Sequence, residues 1–134
     1  MNRYELVFVL AAEVIKKSGK YIFPEVYEGL ALGGEPRLKA AAKLFELGII
    51  EKVVCVGGSV KGEEDVQKSE IMRDRLVKYY KIPAGKIEAF VSDPHTEGNV
   101  NIIKEYLEKN KIRAEDCAFL TNFIIHFTSG ISQN

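Results

Sequence analysis

Apolar residues in this chain gather in short runs of strand length, and between those runs they recur at helical spacing. The clearest run is Val53-Val54-Cys55-Val56, followed at once by Gly57-Gly58-Ser59. Four apolar, mostly β-branched residues bounded by turn formers read as a buried parallel strand ending at its carboxyl edge. Leu6 to Leu10 is a second such run and predicts the first central strand; Ile87 to Val91 and Cys117 to Leu120 predict two more. Leu38, Ala41, Ala42 and Phe45 fall on one helical face, with Pro36 suited to the first turn and Gly48 to the stop. A second helix is expected from about Val66 to Tyr80 on the stripe Met72, Leu76, Tyr79 and Tyr80, and a third on Val100, Ile103 and Leu107 with Thr96 as its N-cap. Ala11 to Gly34 keeps no single period. Ser18-Gly19 and Pro24 interrupt its helix-like start, so a loop over the strand ends is expected, and a polar loop from Val60 to Asp65. Strands alternating with helices predict right-handed βαβ units and a three-layer α/β domain whose sheet of four to five strands is mainly parallel.

A length of 134 residues suits one domain able to bury a real core. Lys and Arg number 19, as do Asp and Glu, and 46% of the residues are hydrophobic. That balance argues against a basic nucleic-acid binder and a charged disordered tail, leaving a small molecule or another protein as partner. Cys55 and Cys117 lie inside predicted buried strands, where thiols act as small apolar groups, and neither has neighbours at metal-ligand spacing. The run Leu6 to Ala12 is bracketed by Glu5 and Glu13 and is too short for a bilayer or a signal peptide, so a cytoplasmic chain is expected.

Three predicted strand ends carry hydroxyl, amide or acidic groups: Gly57-Gly58-Ser59, Ser92 to Asn99, and Thr121-Asn122. Each alone is ordinary turn and cap chemistry. In a parallel sheet all three meet on one edge, where open α/β sheets bind ligands, and Arg37 at a helix start points to the same edge. Gly57-Gly58 matches neither the dinucleotide fingerprint nor the phosphate-binding P-loop, and Ser59 lacks the context of a nucleophile elbow. Glu70, beside Ser69 in the second helix, either reaches the pocket or stays on the surface. His95 stands on the same edge, whereas a lone loop histidine is more often a turn or surface residue.

Taken in order, these residues resemble the YdcF-like family, which includes the SanA and ElyC type proteins and is catalogued as domain of unknown function 218. The likeness spans roughly residues 4 to 126. It rests on the first apolar strand, on Arg37, Ala41, Leu44 and Gly48, on Val54 to Gly58, on Ser69-Glu70 with Met72, and on Thr96 with Asn99. The resemblance implies a Rossmann-like domain with its polar pocket at the strand ends, members linked to bacterial envelope physiology, and S-adenosylmethionine as one ligand of the family. It makes Arg37, Gly57, Gly58, Ser69, Glu70, Thr96 and Asn99 pocket residues, to which the strand ends add Ser59 and Asn122. The chain departs from the family at Ala11-Ala12-Glu13, where glycines are usual, and at Gly98, where an acid is usual. It departs again after His126, where Arg, a helix and a strand usually follow.

Two functions are therefore expected. The first is a ligand-binding protein, a hydrolase or transferase, with Glu70 as the candidate catalytic group. The second is a non-catalytic module that has lost the closing strand and dimerises through the apolar segment Phe123, Ile124, Ile125 and Phe127.

Overall fold

The computed structural model describes residues 4–11, 14–23, 26–27, 31–32, 34–60, 63–91, 96–120 and 125–127. The first strand, β1 (Tyr4–Leu10), leads into two small hairpins, β2 (Ile15–Lys17) with β3 (Lys20–Ile22) and β4 (Val26–Tyr27) with β5 (Ala31–Leu32). Helix α1 (Gly34–Glu46) returns the chain to β6 (Ile50–Gly57), which is followed by a third hairpin, β7 (Ser59–Val60) with β8 (Glu63–Gln67). Helix α2 (Lys68–Lys78), β9 (Ile87–Val91), α3 (Thr96–Asn110), β10 (Cys117–Leu120) and β11 (Ile125–Phe127) complete the order.

The main sheet runs β11-β10-β1-β6-β9. Its four strands β10, β1, β6 and β9 are parallel, and β11 joins β10 antiparallel. Alternating side chains sort the strands onto two faces. Val7, Val9, Val53, Cys55, Ile87, Ala118 and Leu120 meet Leu38, Ala41 and Leu44 of α1 and Met72 and Leu76 of α2. Leu6, Phe8, Val54, Val56 and Cys117 meet Tyr106 of α3 on the other face. The domain is thus a three-layer Rossmann-like α/β fold. Strands β1, β6 and β9 advance in one direction under α1 and α2, and α3 carries the chain back across the opposite face to β10. Crossovers of one hand that advance in opposite directions have to use opposite faces.

Helix α1 stops where Gly48 is expected to stop it. Gly48 takes φ +76°, its N–H donates to Phe45 O, and the Ile49 N–H donates to Leu44 O at 3.0 Å, the paired bonds of a Schellman cap.

Three expectations change. The loop over residues 11–34 contains two hairpins; the first turns on Ser18 and Gly19, both at positive φ, as a type I′ turn requires. The loop after Val60 is a hairpin too, so α2 begins at Lys68 rather than near Val66. Of the apolar segment offered for dimerisation, Ile125–Phe127 pairs with β10 of its own sheet, while Phe123 and Ile124 lie outside the described residues.

Candidate functional site

The sheet changes direction between β1 and β10: from β1 the chain moves outward through β6, and from β9 it returns to the other side of β1. In open α/β sheets the crevice for a ligand opens outside the carboxyl ends of the strands at such a switch point. Helices α1, α2 and α3 each follow a parallel strand, so their amino ends face that same edge and favour negative charge there.

Arg37 lies in the first turns of α1, 1% exposed, and its Nη1–H donates to the carbonyl of Leu10 at 2.6 Å. A guanidinium is thereby held at the carboxyl end of β1, beside the switch point. The Ala11 N–H donates to Val56 O at 2.8 Å, which carries the β1–β6 ladder one residue past β1 and brings Ala11 against Gly57. A Cβ at Gly57 would lie 2.5 Å from Ala11 Cβ, 3.3 Å from Lys68 Cβ and 3.4 Å from the Ser69 nitrogen. The close backbone approach that calls for glycine at 57 is therefore made by the chain's own Ala11. Gly58 turns the chain into β7, and its carbonyl accepts the Lys68 N–H at 2.8 Å, seating the first turn of α2 directly on the end of β6.

In that turn Ser69 and Glu70 part company. Ser69 is wholly buried, and its Oγ has no hydrogen-bond partner. Glu70 is exposed. The Gln67 side chain, at the N-cap position, makes no capping hydrogen bond to the helix. Ser59 stands in β7 with its side chain exposed. Thr96 and Asn99 occupy the first turn of α3 at a spacing of three, which places them on one helical face. Asn122, Ser92 and His95 lie outside the described residues.

A tie between two hairpins at this edge involves none of the motif residues. Glu63 of β8 accepts the Tyr21 hydroxyl at 2.7 Å and pairs with Lys16 Nζ at 3.3 Å, tying the β7–β8 hairpin to β2–β3. The Tyr21 hydrogen bond, with Lys16 beside it, holds the Glu63 carboxyl below its ordinary range. The signal was the alternation around Ser18-Gly19, a turn dipeptide between Ile15-Lys16-Lys17 and Lys20-Tyr21-Ile22.

Neither thiol serves the site. Cys55 and Cys117 are buried and form no disulfide, and burial pushes both up to about 12. No cluster of three His, Cys, Asp or Glu side chains fit to hold a metal is found among the described residues, nor is any helix among them long and apolar enough to cross a membrane. A shallow groove of about 860 Å³ follows the outer side of α1, walled by Lys39, Lys43 and Lys81.

Comparison with known proteins returns no match: no family model, no curated protein and no solved structure is significantly similar to the chain. Fold and site define a class by architecture, a Rossmann-like domain whose buried arginine and helix amino ends meet at the switch point of a parallel sheet.

Proposed function

We propose that the chain binds a small anionic or nucleotide-like ligand at the carboxyl edge of its parallel sheet, with S-adenosylmethionine among the candidate compounds. The observation that carries this reading is Arg37: a buried guanidinium beside the crevice expected at the switch point, where an anion would meet both its charge and the helix amino ends. Gly58 supports the reading by seating α2 on the strand end, and the YdcF-like resemblance supports it by naming Arg37, Gly57, Gly58, Ser69, Glu70, Thr96 and Asn99 for the pocket. Glu70, on the exposed rim, then meets ligand hydroxyls that remain outside. The proposal is of binding, because the sequence offers no matched nucleophile and base.

Thermal melts against S-adenosylmethionine, S-adenosylhomocysteine, nucleotides, sugar phosphates and inorganic phosphate test it. A ligand at about a hundred times its Kd adds roughly 2.7 kcal/mol. The expected result is a raised Tm with at least one compound, lost in Arg37→Ala and reduced in Glu70→Ala. No shift with any compound overturns the reading.

A further inference from the structure

Among the described residues at the strand-end site, Ser69 is a wholly buried polar side chain whose oxygen is left without a hydrogen bond. Buried hydroxyls are nearly always bonded, and the exceptions call for an explanation, an absent ligand being one of them. Its position adds a second reason. Ser69 is the second residue of α2, an eleven-residue helix whose first turn sits on the end of β6. First-turn amides have no carbonyl partner within their own helix, and together with the helix dipole they favour an anion.

We infer that the amino end of α2, with the Ser69 hydroxyl, is a phosphoryl subsite that takes inorganic phosphate or the phosphate of a phosphomonoester such as a nucleoside monophosphate. This rests on the ligand reading above and narrows it. A phosphate offers several acceptor oxygens to a hydroxyl, to backbone N–H groups and to a guanidinium at once. Ser69, the first turn of α2 and Arg37 are donors of those three kinds, gathered where β1 and β6 end side by side with Leu10 opposite Val56. Gly57 brings them together: the Ser69 nitrogen lies 3.4 Å from where its Cβ would stand, so the helix can sit this close to the strand end. The same turn directs Glu70 into solvent, which keeps its carboxylate from competing for these donors. The Ser69 hydroxyl is wholly buried, so a ligand reaches it only when the segments around it part.

The test is titration calorimetry of the full chain and of Ser69→Ala with inorganic phosphate, adenosine monophosphate, adenosine and S-adenosylmethionine. Ser69→Ala removes only an unbonded oxygen from the core, so it is expected to fold, with a Tm at or above that of the parent. Binding of phosphate or of adenosine monophosphate, weakened about tenfold or more in Ser69→Ala while any adenosine binding stays unchanged, supports the subsite. Phosphate bound without the nucleotide marks the free ion as ligand; the nucleotide bound more tightly than either part marks the ester. Binding of S-adenosylmethionine or adenosine with no response to either phosphate compound overturns the subsite and leaves the ligand reading intact. Phosphate binding that Ser69→Ala does not change also overturns the subsite. Silence from every compound overturns the subsite, and the wider panel of thermal melts then decides the ligand reading.

Discussion

At the scale of single residues, Gly57 and Ser69 show how closely the end of β6 is packed. Gly57 has no room for a side chain because Ala11 occupies that space at 2.5 Å. Gly57→Ala should therefore cost about 1–3 kcal/mol by overpacking, read from urea denaturation. Adding Ala11→Gly should restore part of that loss, whereas a clash with some other group would leave the double variant no better. The glycine was legible in the sequence as a strand terminator, and its reason was not: the pattern Val-Gly-Gly-Ser fits a ligand pressed on the backbone as well as a neighbouring strand end. The Ser69-Glu70 pair misleads in a similar way. A carboxylate draws the eye as the chemical group, yet a helix begun at Lys68 buries position 69 and exposes position 70. Placing that start two residues earlier, as the apolar stripe suggests, blurs the distinction.

At the scale of elements, the parallel strands were readable because a strand covered on both faces is apolar along its whole length. The three hairpins were not, since short two-stranded ribbons on a surface keep the composition of loops. The β2–β3 and β7–β8 hairpins are joined through Glu63, and this makes the joint pH-sensitive. Glu63 is held below its ordinary range chiefly by the Tyr21 hydroxyl, so the folded state favours the ionised form. The tie is thus fully present at neutral pH, where the unfolded carboxylate is ionised too. It is lost as pH falls through the lowered folded value. Hydrogen exchange at Ile15–Ile22, corrected for its intrinsic pH dependence, should show protection at pH 7 that fades in acid. Glu63→Ala should show the faded pattern already at pH 7. Equal protection in the variant and the parent would mean that the hairpins hold by other contacts.

At the scale of the whole molecule, β11 finishes one side of the sheet by pairing Ile125–Phe127 with β10. A chain ended after Leu120 would present β10 as a bare edge, and unpaired edges recruit other strands. Light scattering should then show self-association where the full chain is monodisperse; a truncated chain that stays monomeric with an unchanged Tm would assign β11 no protective role.

The placement of β1 between β6 and β10 also governs when the domain can form. As the chain leaves a ribosome, β1, β6 and β9 emerge together with α1 and α2, but the other flank of β1 has no strand to pair with until residues 117–120 are free of the tunnel. Over the same interval Leu6, Phe8, Val54 and Val56 wait for α3 and its Tyr106. The nascent protein must therefore carry β1 half-paired until β10 emerges, and Leu6–Leu10 is a segment that a holding chaperone would meet in that interval.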